Sequence, residues 1–240
     1  MPVAFRSAAQ AQNDSGTTLV ITAPAGIVDG DILIAFLASN LSNTDWTHPA
    51  GFTETFDSQH VAGSNRSAVS WKLASGESGN YTFTSTGSVD HAGAILVFSG
   101  AVSTGPEDTQ GTEVTDAAAD YDFLCPAATT TRANAMVIRA VLTGGNGSLT
   151  SVAPPTGYTE RADMAGDAGG ENMAAVYTID TLQADAGSTG TINIVATGTG
   201  TMRGFAVTVA LSPPVAAVSG GGLGVSGYTA GSGYFGRMNR

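Results

Sequence analysis

Pro49-Ala50-Gly51-Phe52-Thr53-Glu54 returns in the second half of the chain as Pro155-Thr156-Gly157-Tyr158-Thr159-Glu160. Other blocks recur around these anchors in the same order. The apolar run 32–37 answers to 136–142, the segment 67–71 to 173–177, and 94–98 to 205–209. A separation of about a hundred residues exceeds any solenoid period and suits a duplicated half-domain. The reading is one unit written twice, over 5–104 and 112–213. Duplication explains the Gly, Pro, Thr and Ser placement as architecture and leaves little of it for chemistry.

Working outward from the anchors, predicted strands cover 18–22, 32–38, 52–56, 67–73, 81–86 and 93–99 in the first half. In the second they cover 122–127, 135–143, 158–164, 174–179, 191–196 and 205–211. Alternation is clearest in Tyr81-Thr82-Phe83-Thr84, where aromatics point one way and threonines the other. The run 32–37 is apolar on both faces, which suits a central strand covered from each side. Arg139 interrupts the apolar run of its strand on the face shared with Val137 and Val141. It reads as part of a solvated strand face, with partial exposure or an interface as alternatives. No segment keeps a helical period over about eleven residues.

The expected fold is all-β: an antiparallel β-sandwich, jelly-roll-like, of about twelve strands from two duplicated six-stranded halves, with an extended C-terminal arm. Residues 1–213 form the duplicated sandwich and 214–240 the arm. The joining segment 101–119 is acidic and rich in small residues. Tandem domains are the alternative to one sandwich, but six short strands alone bury only a thin core.

The net charge of −11 coexists with only 12% charged residues, and Lys72 is the sole lysine. Such a surface repels phosphates, so no nucleic-acid partner is expected. The single cysteine, Cys125, excludes an intrachain disulfide and a cysteine zinc site; in a predicted strand it reads as a buried, inert thiol. No basic leader precedes an apolar stretch at the N-terminus, and the apolar runs fall far short of the ~20 residues that cross a bilayer. Synthesis in a cytoplasm without membrane insertion is the expectation.

Chemistry finds few footholds. His48, His60 and His91 lack ligand spacing, and Asp29-Gly30-Asp31 reads as a β-turn, so no metal is expected. Gly222-Leu223-Gly224-Val225-Ser226-Gly227 matches dinucleotide-binding spacing but lacks the strand, helix and later acid that the motif needs, so no cofactor is expected. No nucleophile elbow occurs. Glu54 with Asp57, or Asp163, Asp167 and Glu171, could supply a glycosidase-like carboxylate pair. Yet Glu54 and Glu160 recur in the duplicated block, which favours a structural role; no catalytic residue is assigned. Trp71 and Tyr177 read as core at equivalent strand positions, whereas Trp46, in the polar Asn43-Thr44-Asp45-Trp46-Thr47, could stack on a sugar.

After Pro213-Pro214 the chain becomes glycine-rich, acid-free and unable to bury much surface alone. It reads as an arm docking on a neighbouring subunit. Leu223, Val225, Tyr228, Tyr234 and Phe235 would anchor it, and Arg237 and Arg240 would meet acidic patches. A tail folded back on its own sandwich is the alternative.

One further likeness rests on block order: Pro24-Ala25-Gly26, Asp29-Gly30-Asp31-Ile32-Leu33-Ile34-Ala35-Phe36, then Pro49-Ala50-Gly51-Phe52-Thr53. Trp71-Lys72-Leu73-Ala74, Tyr81-Thr82-Phe83-Thr84 and Ala92-Gly93-Ala94-Ile95-Leu96-Val97-Phe98-Ser99-Gly100 follow. Over roughly 5–213, this resembles β-sandwich modules of tailed-bacteriophage structural proteins and some bacterial surface proteins. The resemblance implies a non-enzymatic virion component, foremost a capsid decoration protein, that is homo-oligomeric and bound to capsid or tail subunits. A receptor- or glycan-binding module of a tail or head fibre, with a host surface glycan as partner, is the alternative, and a tail or neck component a third. It implies no catalytic residue.

Overall fold

A computed structural model of the protein describes residues 1–40, 45–60, 65–116, 121–145, 147–164 and 173–215. The first half contains β1 (Ala4–Thr22), β2 (Ile32–Ser39), β3 (Trp46–Thr47), β4 (Thr53–Gln59), β5 (Arg66–Leu73) and β6 (Asn80–Ser99). The second contains β7 (Asp108–Asp116), β8 (Asp122–Cys125), β9 (Thr129–Thr130), β10 (Ala135–Gly145) and β11 (Gly147–Ala153). It continues with β12 (Thr159–Met164), β13 (Met173–Gln183), β14 (Gly187–Ser188), β15 (Ile192–Gly200) and β16 (Met202–Leu211). No helix is present among the described residues, and every strand pair is antiparallel.

The first main sheet has the order β1-β6-β2-β5-β4 and the second β12-β13-β10-β16-β7. Read from its other side, the second is β7-β16-β10-β13-β12, the same course as the first. In each, the first strand pairs with the last and the second with the fifth of the six-strand pattern. The sheets stack face to face, β1 over β12, β2 over β10 and β4 over β7. This is the arrangement a two-fold axis along the strands would produce.

The central core lies between the two sheets. Ile32, Ile34, Phe36, Leu96 and Phe98 on one side meet Ile138, Leu142, Val176, Val207 and Leu211 on the other. The opposite face of each sheet is covered as well. In the first half, the β1–β6 ribbon breaks register between Asn13 and Thr18. Beyond the break it lays Leu19, Ile21, Tyr81 and Phe83 over Leu33, Ala35, Leu37, Ile95 and Val97. In the second half the ribbon is severed into separate strands, and the sheet β11-β15-β8 covers Val141, Tyr177 and Ala206. The architecture is four layers with three cores. Strands β2 and β10 are buried along their whole length because they are covered on both faces.

Three expectations need correction. The described residues form sixteen strands against about twelve expected: the segment 101–119 contains β7, β1 reaches back to Ala4, and 81–86 and 93–99 are one strand, β6. Trp71 and Tyr177 are not equivalent. Trp71 lies opposite Ile34 and packs half-buried toward the central core, whereas Tyr177 lies opposite Val141 and is buried in an outer core. A change of one residue in strand phase turns a side chain to the other face. The solvated face expected for Arg139 is a fully buried one.

The halves also meet where β2 and β10 end. A Cβ on Gly144 would stand 2.8 Å from the Ser39 carbonyl oxygen and 2.9 Å from the Asn40 Cα, so only glycine fits. Ser67 Oγ also donates across this junction to the Leu142 carbonyl at 3.1 Å.

Candidate functional site

Trp46 is buried, at 5% exposure, because its short strand pairs with β6 opposite Ser85. Its ring packs against that of His91 at 4.9 Å between centroids. The indole face expected to meet a sugar is used inside the first half's outer core, which corrects that assignment. Its polar flanks gave no sign of this, since the groups of its cluster come from strands distant in sequence.

His91 Nε2 lies 2.8 Å from Ser85 Oγ, both buried. The pair resembles a nucleophile and its base, but the hydroxyl proton is committed: Ser85 Oγ donates to the Gly87 carbonyl at 2.7 Å. His91 must then carry its proton on Nε2 and donate it to Ser85, the reverse of general-base geometry. Burial pushes the imidazole pKa down to about 4, so the ring stays neutral near neutrality.

Around the turn before β4, Asp57 of the suspected pair is held by an arginine and Glu54 lies beside a histidine. Arg66 Nε meets Asp57 and Arg66 Nη1 meets Asp45, both at 2.6 Å. The hydrogen bond to Asp57 raises the guanidinium pKa further. His48 Nε2 lies 3.3 Å from Glu54, yet burial outweighs that attraction and lowers its pKa. Three carboxylates, Asp45, Glu54 and Asp57, flank an arginine and an imidazole here, a set that holds the entry to β4 together.

Of the second carboxylate group, Asp163 lines a cleft of about 310 Å³ where β1 meets β12, together with Ala8, Ala9, Gln10, Glu160, Arg161 and Ala162. Burial raises the pKa of Asp163, and burial together with Asp163 raises that of Glu160. The walls are tied to each other. Gln10 Nε2 donates to the Asp163 carbonyl at 3.1 Å, and the Asp163 N–H donates to Gln10 Oε1 at 3.2 Å. The Arg161 guanidinium sits 4.0 Å above the Phe5 ring and donates to buried Asp180 at 2.8 Å. Burial still raises the Asp180 pKa against the pull of Arg161. Asp167 and Glu171 lie outside the described residues.

The largest fully buried side chain is Arg139. Its Nη1 donates to the Pro126 carbonyl and, at 2.6 Å, to Thr208 Oγ1. Its Nη2 donates to Thr189 Oγ1 at 3.0 Å and to the Gly190 carbonyl at 2.8 Å. Among the described residues no carboxylate pairs with it; neutral oxygens do the work. Cys125 lies on the same side of the sheet, its thiol pKa pushed up to about 12 by burial, which keeps it protonated and inert. Arg139 binds the crossings before β9 and β15 onto β10.

The remaining feature lies where the chain leaves β16. Met1, Arg132, Ala133, Asn134, Pro213, Pro214 and Val215 line a recess of about 400 Å³. Arg132 Nη1 donates to the Pro213 carbonyl at 2.8 Å, and the Val3 N–H reaches the Asn134 carbonyl at 3.4 Å. The expected arm contacts, Leu223, Val225, Tyr228, Tyr234, Phe235, Arg237 and Arg240, lie outside the described residues.

Together these define an all-β sandwich of four layers in which Arg139, Arg161 and Gln10 tie strands and crossings to one another. No protein-family model matches the chain, and searches of curated proteins and of solved structures return no match.

Proposed function

We propose that the protein is a non-enzymatic structural component of a tailed-phage particle, of the capsid-decoration kind, made in the bacterial cytoplasm and held to its neighbours by residues 216–240. The observation that supports this most is the fixed exit of the chain. Pro213 is clamped by Arg132 beside Met1 and Asn134, at the end of the sandwich opposite the Gly144 junction. A glycine-rich segment starting from a rigid point can attach the body by one end and present the other. The fibre reading loses its named residue with the burial of Trp46. A tail or neck location would use the same arm.

Particles lacking the protein, mixed with the full chain or with a chain ending at Val215, test the reading. The full chain is expected to sediment with heads at saturating occupancy. The shortened chain, shown to be folded by an unchanged melting temperature, is expected to remain in the supernatant. Equal loading by both chains, or no association of the full chain with heads, would overturn it; association with tails instead would move the protein to the tail.

A further inference from the structure

Strands β1 and β4 are the open edges of one main sheet, and β12 and β7 those of the other. Three of them are interrupted by register shifts: β1, β4 at Glu54/Phe56, and β12 at Glu160/Ala162. Gln10 also occupies the backbone of Asp163 on β12. Strand β7 differs. It pairs with β16 without a shift from Asp108 to Asp116 and exposes Gln110, Gly111, Thr112, Glu113 and Thr115. An antiparallel strand spends only alternate backbone groups on one neighbour. The outward set of a regular edge is a template for another strand.

Charge selects the occupant. Asp108, Glu113 and Asp116 make the strand acidic, and full-register pairing with the β7 of a second copy would set Asp108 against Asp116. Residues 216–240 contain no acid and carry Arg237 and Arg240. Within them, Leu223 and Val225 alternate with Gly222, Gly224 and Ser226, a strand period with side chains on one face. Direction selects the copy. The chain leaves β16 toward Arg132 and Asn134, at the start of β10, whereas its own β7 flanks β16 on the other side.

We propose that β7 receives the 216–240 segment of a neighbouring copy as an added strand. The contact is heterologous, one copy's arm on the next copy's edge, so it builds a ring or a chain rather than a closed pair. The proposal rests on the docking-arm reading above and names the surface that the arm meets.

Hydrogen exchange of the full chain over a concentration series, with sedimentation velocity alongside, tests it. The amides of 108–116 are expected to slow as the protein associates, while those of β4 do not. Arg237→Glu with Arg240→Glu is expected to weaken association about tenfold or more, and adding Glu113→Arg to recover part of it. A free 216–240 peptide is expected to dissociate the assembly and keep 108–116 protected. Protection of β7 independent of concentration would place the arm on its own chain; protection elsewhere, or association indifferent to the peptide, would also overturn the proposal. Particle loading is scored separately: self-association lost with loading intact removes this contact alone, and loading lost with self-association intact removes the proposed function alone.

Discussion

A guanidinium buried without a counter-charge sets the terms at the residue scale. Arg139 gives its donors to Pro126, Thr189, Gly190 and Thr208, and so ties two chain crossings to β10. Arg139→Met is expected to lower stability by about 2–3 kcal/mol, since hydrogen bonds from a charged donor contribute roughly 1.5–3 kcal/mol each and the freed oxygens keep other partners. A lower urea midpoint at unchanged slope would show it. Arg139→Lys should recover only part, because a point-like ammonium cannot span the fork. His91 makes the pH prediction. The unfolded chain takes up this proton near pH 6.5 and the folded chain only near 4, so stability rises with pH between those values. By linkage the window carries up to about 3 kcal/mol. His91→Asn should flatten that part of the stability–pH curve; an unchanged slope would contradict the buried, neutral ring. The alternation around Arg139 was legible in sequence, but its burial was not. The oxygens that surround it come from four distant positions and have no local signature.

Elements divide by how much of their pattern is apolar. Strands β2 and β10 were legible as runs covered on both sides, because hydrophobic residues fill both phases. Strand β7 was read as a connection: Asp108 to Asp116 contains one apolar residue, Val114, so no period of two survives. Its position depends on a glycine. A Cβ on Gly111 would lie 2.4 Å from the Phe56 ring, which packs edge-on to Phe205 at 5.2 Å. Gly111→Val should therefore displace Phe56 and cost about 1–3 kcal/mol by overpacking. A thermal melt and loss of the Phe56–Phe205 ring-current shift would report it.

For the whole molecule, the shared central core decides how it unfolds. Phe36 and Phe98 of one half and Ile138 and Val207 of the other belong to a single cluster. The halves should therefore lose structure together, in one transition seen alike by far-ultraviolet dichroism and tyrosine fluorescence. Phe36→Ala should lower stability by about 3–5 kcal/mol while keeping that transition single. Two separated transitions would instead mark independent halves. The repeated Pro-x-Gly-aromatic-Thr-Glu block made two like halves legible. Which layer covers which face was not, because a strand apolar on both sides looks the same whether a second sheet or a folded ribbon covers it.

Two like sheets related as by a two-fold axis are the geometry of a symmetric dimer, here carried on one polypeptide. In a dimer of identical chains, every change at one lateral edge is repeated at the other, so neither can specialise alone. A covalent pair escapes that rule. One edge, β1 on β12, is closed by Gln10, Phe5 and Arg161, while its counterpart, β4 on β7, leaves a regular acidic strand facing outward. Linking the halves thus gives the molecule a left and a right side, and with them the means to assemble in a direction.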